Sequence, residues 1–431
     1  MGSAAAPAPE TRPAESGPSS ASHLMNTYRR PATMFERGRG CYLYDSQDRR
    51  YLDFITGIGV NALGYAHPRL VRVMRREAGR LVHLSNLYHH PFQEPLAAKL
   101  AGWSGLDRVF FANSGTEAIE GALKLARAHA RRGGQAKPRV LALENSFHGR
   151  TVGALAVTAT AEYREPFAPL MPGAGFVRLN DVADLEAKFG DDVCAILIEP
   201  IQGEGGIHRV SEPFWRRARE LATQHGAALI ADEIQCGLGR TGRYFACQNY
   251  EGKPDILTVA KPLAGGLPLG ALVATEEIAS ALAPGMHGST FGGGPLACAV
   301  ALEFLTTVEE ENLLENVARR GAEIREGLQR LAARAGFVRE VRGEGLMLAM
   351  ELEIEGGAYV DRARELGLLV NCTHKRVLRF LPPYIADTRH VTEFLRKMKR
   401  ALAGKPPRRD AGESQPQSEP AAGRPLETGP A

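Results

Sequence analysis

The sequence lacks the features that mark membrane, secreted and nucleic-acid-binding proteins. No apolar run approaches the roughly 18 residues of a membrane span, and the N-terminus has no apolar segment typical of a secretory signal. The net charge of +4 is small for 431 residues, and the basic residues are scattered. We therefore expect a cytoplasmic protein that binds small molecules, with no nucleic acid and no membrane among its partners.

Cysteine is also scarce, and its spacing is uninformative. The six cysteines form no CxxC pair and no Cys/His pattern of a metal site. Several lie in apolar runs, as Cys194 does in VCAILIEP. Reduced, buried thiols and no bound metal are therefore expected.

The chain is long enough for a large and a small domain flanked by tails. Both ends are Pro-, Ser- and Glu-rich and cannot bury enough apolar surface to fold. The predicted parts are a disordered tail (1–21), an N-terminal segment with a hairpin (22–66), a large domain (67–310), a small C-terminal domain (311–403) and a second disordered tail (404–431).

The predicted large domain alternates apolar strands with helices. VFFA, RVLALEN, CAILIEP, AALIADEI, DILTVAK and GALVAT are the strands. Strands that are apolar throughout indicate a parallel sheet covered on both faces. Ligands in such sheets bind outside the carboxyl ends of the strands, and the chemically interesting residues follow strands here.

One lysine stands at the end of such a strand. Lys261 closes an apolar run and is followed at once by a Gly/Pro loop. The ordinary interpretation is a side chain that reaches out to solvent. The alternative is a desolvated amine that forms a Schiff base with a carbonyl.

A carboxylate stands at the end of the strand before it. Period-2 alternation places Asp232 and Ile234 on one face. A buried carboxylate needs a cationic partner or its pKa rises, although Asp232 could simply cap the next loop. A pyridinium nitrogen would suit Asp232, and an aldehyde on the same ring would suit Lys261.

Two earlier loops complete a possible cofactor site. Ser114, Gly115 and Thr116 stand at a strand-to-helix junction, where N–H groups and hydroxyls form an anion cradle, or where Ser114 merely caps the helix. Phe147 with its neighbours in SFHGRT suits stacking on a flat ring and capture of a carboxylate, unless it is a loop with one buried Phe. Phosphate cradle, stacking ring, carboxylate and lysine together describe a site for pyridoxal 5'-phosphate.

From about residue 24 to 403 the sequence resembles the class III pyridoxal-phosphate-dependent aminotransferases, with the closest likeness to the acetylornithine type. Seven motifs in the family order carry the resemblance: FANSGTEA, NSFHGRT, EPIQGEGG, ADEIQCGLGRTG, TVAKPLAGG, HGSTFGG and VLRFLPP. The resemblance implies an α/β, fold-type I (aspartate aminotransferase-like) architecture. Its large domain would hold a mostly parallel sheet, beside a smaller α+β domain.

The resemblance also implies roles around the cofactor. Lys261 would hold the cofactor covalently and move the proton, and Asp232 would pair with the ring nitrogen. The other cofactor-binding residues implied are Ser114, Gly115, Thr116, Phe147, His148, Ile234, Gln235 and Thr290. Ser289 and Thr290 would come from the neighbouring subunit of a homodimer.

Two arginines are implied for the substrates. Arg379 would bind the α-carboxylate of glutamate bidentately, and Arg150, with Tyr28, the far carboxylate of the amino donor. Glu204 would mask Arg379 when the donor has no α-carboxylate there, unless it forms a salt bridge elsewhere.

The implied reaction is ping-pong transamination from the δ-amine of N-acetylornithine to 2-oxoglutarate. Other class III activities remain open: ornithine, succinylornithine, succinyl-diaminopimelate, a lysine-pathway amine or 4-aminobutyrate as donor. A protein that binds the cofactor without catalysis is an alternative of another class, and Lys261, Asp232 and Arg379 argue against it.

Overall fold

The computed structural model describes residues 23–134 and 136–403. The two predicted tails lie outside these residues. Within the described part, every helix is either too short or too polar to cross a membrane. The cysteines are free thiols there: Cys372 is half-buried, and Cys41, Cys194, Cys236, Cys247 and Cys298 are buried as expected.

The N-terminal region contains the predicted hairpin and three helices. Its strands pair antiparallel, each with the next along the chain. The elements are β1 (Phe35–Arg39), β2 (Tyr42–Asp45), β3 (Arg50–Asp53), a short, kinked α1 (Thr56–Gly59), α2 (Pro68–Ala78) and α3 (Gln93–Ser104).

The central region alternates strands and helices. Its elements are β4 (Arg108–Ala112), α4 (Gly115–Arg132), β5 (Arg139–Leu143), α5 (Val152–Ala156), α6 (Ala161–Arg164), β6 (Ala174–Val177), α7 (Val182–Lys188), β7 (Val193–Ile198), β8 (Ile201–Gln202), β9 (His208–Arg209), α8 (Glu212–Gln224), β10 (Ala228–Asp232), β11 (Ile256–Val259), β12 (Gly270–Ala274) and α9 (Glu276–Ala279), with 3₁₀ turns at Glu165–Phe167 and Ala246–Asn249.

The C-terminal region begins with two long helices that lead to a second sheet. Its elements are α10 (Pro295–Glu310), α11 (Leu313–Ala332), β13 (Val338–Glu344), β14 (Met347–Leu352), α12 (Gly357–Glu365), β15 (Leu368–Leu369), β16 (Asn371–Thr373), β17 (Val377–Phe380) and α13 (Thr388–Leu402).

Seven strands form the central sheet, in the order β4-β12-β11-β10-β7-β5-β6. All pairs run parallel except those of β12, which is antiparallel to both β11 and β4. The expectation of a parallel strand at GALVAT was therefore wrong. Only ten residues separate β11 from β12, and this connection contains no helix, whereas a parallel crossover needs a dozen or more residues.

Both faces of the central sheet are buried. Alternate residues of one strand enter different hydrophobic clusters: Leu229 and Ala231 of β10 face one, whereas Ala228 and Ile230 face the other. Burial on both faces explains why these strands are apolar throughout and not alternating.

Two four-stranded sheets lie outside the central one, and β8 and β9 form a separate two-stranded sheet. The sheet β13-β14-β17-β16 is antiparallel throughout. The N-terminal strands are joined by β15, which pairs parallel to β3 with Leu368 beside Leu52. Strands from the N-terminal and the C-terminal regions therefore share one sheet.

Candidate active site

A cavity of about 410 Å³ opens at the carboxyl edge of the central sheet. The loops after β4, β5, β7, β10 and β11 line it, as the rule for ligands of such sheets predicts. The structure brings together at this cavity ten of the predicted site residues: Ser114, Gly115, Thr116, Phe147, His148, Arg150, Asp232, Ile234, Gln235 and Lys261.

Lys261 enters the cavity from the loop after β11. Its Nζ forms no hydrogen bond or ion pair with the described part of the chain. Burial lowers the pKa of this amine, and the negative charges of Glu204 and Asp232 only partly oppose the effect. A lowered pKa increases the share of neutral amine, which is the form that acts as a nucleophile and a proton acceptor, so the predicted Schiff-base chemistry suits this environment.

Asp232 is the last residue of β10 and is almost completely buried. Its Oδ2 lies 2.7 Å from Nδ1 of His148, which is also buried. The His148 Nε2 is buried and has no hydrogen-bond partner among the described residues. Asp232 therefore has a neighbour that fixes its orientation, and it still lines the cavity.

Ile234 reaches the cavity for a different reason from the one predicted. The strand ends at Asp232, and residues 234–236 form a turn. Within it, the Ile234 N–H donates to Asp232 Oδ1 over 3.0 Å. Asp232 thus also caps the following loop, as the simpler interpretation proposed, and this side-chain turn, not strand alternation, brings Ile234 beside it.

The N-terminus of α4 also lines the cavity. Ser114 is the N-cap, and its hydroxyl accepts from the Glu117 N–H at 3.3 Å. The first N–H groups of a helix have no intrahelical acceptors, and they attract anions. Thr116 Oγ1 lies 2.8 Å from Thr151 Oγ1, which orients the hydroxyl at this end.

These surroundings fit pyridoxal 5'-phosphate. A Cβ at Gly115 would lie 2.9 Å from the Ile234 side chain, so only glycine leaves the helix N-terminus open next to that residue. The same cavity offers a helix N-terminus for a phosphate, Phe147 and Ile234 for a flat ring, Asp232 for a ring nitrogen, and Lys261 for an aldehyde.

Arg379 lies beside this cavity on β17 and is fully buried. Its Nη1 donates to Glu204 Oε1 (2.6 Å), Gly203 O (3.0 Å) and Gln235 Oε1 (3.0 Å). Its Nη2 is buried and has no partner within the described residues. Burial opposes ionisation of Glu204, but attraction and hydrogen bonding from Arg379, together with Lys261 and Gln235, outweigh burial and lower the pKa of Glu204.

Arg150 stands at another side of the cavity and is exposed. Its guanidinium carbon lies 3.7 Å from the centre of the Tyr163 ring and 5.5 Å from that of Phe147. In the described part of the chain it forms no hydrogen bond or ion pair. Its charge is therefore free to receive an anion.

Besides Glu204 and Arg379, which adjoin the cavity next to Gln235, three predicted site residues do not line it. Tyr28 is 70% exposed and contacts Arg30 instead. Ser289 and Thr290 line a separate hollow, and Ser289 Oγ accepts from Asn113 Nδ2 at 3.2 Å. The roles of all three residues remain predictions. Those of Ser289 and Thr290 concern the site of the neighbouring subunit.

Glu199 lines the cavity but was not singled out from the sequence. It follows β7, and it accepts from the Phe147 N–H (3.1 Å) and the Gly203 N–H (3.0 Å) with its two oxygens. Burial raises its pKa to about 7. Attraction from His148 opposes this rise, and repulsion from Asp232 adds to it. A carboxylate after a fully apolar strand was the available signal, as it was for Asp232.

Comparison with known proteins agrees with this geometry. The family model for class III aminotransferases matches residues 24–402. The acetylornithine aminotransferase of Aquifex aeolicus is 44% identical over 382 residues, which cover 88% of this chain and all of the relative.

Solved structures are similar to this chain as well. The ornithine aminotransferase of Toxoplasma gondii has a TM-score of 0.85 at 34% identity, covering 88% of this chain and 92% of the other. The acetylornithine aminotransferase of Elizabethkingia anophelis has a TM-score of 0.79 at 30% identity, covering 88% and 96%. The chain therefore belongs to the class III aminotransferases, fold-type I transferases that use pyridoxal 5'-phosphate.

Proposed function

We propose that the protein transfers the terminal amino group of an acylated diamino acid to 2-oxoglutarate in two half-reactions. N-acetylornithine as donor would give N-acetylglutamate semialdehyde, and 2-oxoglutarate would become glutamate, a step of arginine biosynthesis. The observation that carries the proposal is the 2.6 Å ion pair of Glu204 and Arg379 beside the cavity of Lys261. The likeness to acetylornithine aminotransferases supports this choice of donor.

Lys261 is the proposed catalytic base. Bound pyridoxal 5'-phosphate supplies a sink for the electrons that remain when a proton leaves the carbon bearing the amine. The lowered pKa of Lys261 suits it to accept that proton and to return it one position away. Asp232, oriented by His148, would keep the ring nitrogen protonated, and Gln235 would lie near the ring hydroxyl.

Phe147 and Ile234 would hold the ring between them. Gly115 and Thr116 would bind the phosphate at the N-terminus of α4, where unpaired N–H groups favour an anion. Ser114 would act mainly by fixing the first turn of that helix.

Glu204 and Arg379 would allow one site to accept two kinds of substrate. An ω-amine has no carboxylate next to its reacting carbon, so the closed ion pair leaves Arg379 neutralised. Glutamate has such a carboxylate, which would displace Glu204 and bind Arg379, whose Nη2 is free of protein partners in the described chain.

Arg150 would bind the carboxylate at the far end of either substrate. It is exposed and is held over Tyr163, so it can shift to meet substrates of different length. Tyr28 is the proposed helper at this end.

A homodimer would complete the site. Ser289 and Thr290 lie outside the cavity of their own chain, so we propose that they serve the site of a second copy. Exposed apolar residues close to them, Leu87 and Phe291, support burial of this surface.

A free ω-amine such as ornithine is the second candidate donor. The likeness to the Toxoplasma gondii ornithine aminotransferase favours it. The two donors differ only in the acyl group on the α-nitrogen, which would lie near Arg150.

The test is a panel of half-reactions with the purified holoenzyme. N-acetylornithine, ornithine, succinylornithine, succinyl-diaminopimelate and 4-aminobutyrate are added singly, and loss of the cofactor's visible absorbance is followed. N-acetylornithine is expected to react with the highest kcat/KM, and a faster reaction with ornithine would overturn this choice of donor.

The variant Lys261→Ala tests the catalytic assignment. It should lose turnover by at least a factor of about 10⁴, because the base and the covalent anchor are both removed. Lys399→Ala, an exposed lysine of α13, is the control and should retain activity. Persistent turnover in Lys261→Ala would contradict the assignment.

A further inference from the structure

Glu204 lies at the tip of a very small hairpin. The two-residue strands β8 and β9 pair antiparallel, with Gln202 opposite His208. The Ile207 N–H donates to Gln202 O at 3.0 Å and closes the turn. We call residues 203–206 the Glu204 turn.

Arginines hold a carbonyl at each end of the Glu204 turn. Arg379 Nη1 donates to Gly203 O at 3.0 Å. Arg342 donates to Gly206 O twice, from Nε at 2.9 Å and from Nη2 at 2.7 Å. The side chain of Glu204 extends from between these two points.

Arg342 is itself firmly held. Its Nη1 donates to Glu340 Oε2 (2.8 Å) and to Glu351 Oε2 (2.6 Å), and its side chain is only 9% exposed. A buried cation is stable only when paired and hydrogen-bonded. Both carboxylates come from the C-terminal sheet, so Arg342 fixes the turn to that sheet.

Arg342 and Arg379 lie on the same face of this sheet. Arg342 is opposite Ala349, and Ala349 is opposite Arg379, on three neighbouring strands. Directly opposite residues of antiparallel strands point to one face. The small Ala349 leaves room between them, and it packs in one cluster with Ile201 and Ile207 on either side of the Glu204 turn.

We infer that Arg342 is a positioning residue that holds the Glu204 turn where Glu204 reaches Arg379. The closed ion pair needs its 2.6 Å contact, and that contact depends on where the backbone lies. Without Arg342, Gly206 O loses two charge-assisted hydrogen bonds. The turn then moves, and the balance shifts towards a free Arg379. This inference rests on the proposed masking of Arg379 by Glu204.

The test measures binding of glutarate, which has the carboxylates of 2-oxoglutarate but no reactive carbonyl. Calorimetry on the holoenzyme gives Kd for wild type, Arg342→Gln and Glu204→Gln. Because glutarate must displace Glu204, Arg342→Gln should bind it about 3- to 10-fold more tightly. Glu204→Gln should bind glutarate at least as tightly as Arg342→Gln does.

Controls separate positioning from damage. Arg339→Gln is matched, since Arg339 is exposed, lies on the same strand and pairs with the other oxygen of Glu351. It should bind glutarate as wild type does. Adding Arg342→Gln to Glu204→Gln should change Kd no further, and Arg342→Lys should give a smaller tightening in the same direction.

Tightening is a result that a damaged fold does not produce. Equal or weaker binding by Arg342→Gln, including undetectable binding by both proteins, overturns the inference. The half-reaction of wild type with N-acetylornithine is measured separately, so failure of the proposed function would be recognised independently.

Discussion

The two arginines proposed to bind substrate are held in opposite ways. Arg379 is fully buried on a strand, and its guanidinium contacts Glu204, Gly203, Gln235 and Asn371. Arg150 is exposed on a loop, where its guanidinium lies near the rings of Tyr163 and Phe147 and forms no hydrogen bond or ion pair with the described residues.

This difference indicates a division of tasks. Arg379 is set by strands whose positions are fixed by the core, so it suits a group common to every cycle, such as the α-carboxylate of glutamate. Arg150 has room to adjust, which suits the end where donors vary. We therefore expect specificity for the donor to be tuned at Arg150 and not at Arg379.

The largest effect is expected from Arg379→Gln. It would remove the proposed charged, bidentate partner of the α-carboxylate, so kcat/KM for glutamate should fall by a factor of about 10²–10³. The ω-amine half-reaction should fall far less. Single-turnover kinetics of both half-reactions provide the measurement.

The control for Arg379→Gln is Arg376→Gln, an exposed residue just before the same strand. It should leave both half-reactions unchanged. Equal losses in the two half-reactions of Arg379→Gln would break the comparison, because the arginine would then serve both substrates alike.

A smaller effect is expected from Arg150→Gln. An ion pair of an exposed arginine contributes less binding energy than that of a buried one. We therefore expect kcat/KM to fall by a factor of about 10 for both N-acetylornithine and glutamate, mainly through KM. Arg164→Gln is the control, because Arg164 stacks on Phe176 and does not line the cavity. A loss confined to glutamate would show that Arg150 does not bind the donor.

The smallest effect on activity is expected from Glu199→Gln. Glu199 lies between the Arg150 side and the Arg379 side of the site. Its oxygens accept from Phe147, in the loop of Arg150, and from Gly203, which Arg379 also contacts. Near neutral pH the variant should lose less than about threefold in kcat/KM, since a carboxyl with a pKa of about 7 is already partly protonated.

The clearer signature of Glu199 is the pH dependence of stability. Burial raises its pKa from 4.5 to about 7, so between these values the folded protein retains a proton that the unfolded chain has released. Stability of the cofactor-free wild type should therefore fall as pH rises through this window, by no more than about 3 kcal/mol. Denaturant unfolding should show a flatter profile for Glu199→Gln, and parallel profiles would contradict the raised pKa.

Strand ends were the part of the site that sequence could predict. An apolar run that stops at one charged residue placed Asp232 and Lys261 at the cavity without knowledge of the fold. Ile234 lines the cavity, but strand alternation does not bring it there, because the strand had already ended. Strand β12 is antiparallel because the ten-residue loop before it is too short for a parallel crossover.

Other features had no local signal. Arg342 donates to the backbone carbonyl of Gly206, 136 residues away. Every residue has such a carbonyl, so residue types do not identify this partner. The pairing of β3 with β15 likewise joins distant segments. Tyr28 lies exposed, outside the cavity, although sequence similarity associated it with Arg150.

The hydrogen bonds that hold both ends of the Glu204 turn also bear on how fast Glu204 can leave Arg379. With Gly203 and Gly206 held, Glu204 would leave Arg379 by rotation about its own side-chain bonds, without displacing a domain or a lid. The Glu204 side chain is 34% exposed, and rotations of exposed side chains take roughly picoseconds to nanoseconds, whereas enzymes in general turn over about 1 to 10³ times per second. Alternation between two unlike substrates would then add no slow step to the catalytic cycle.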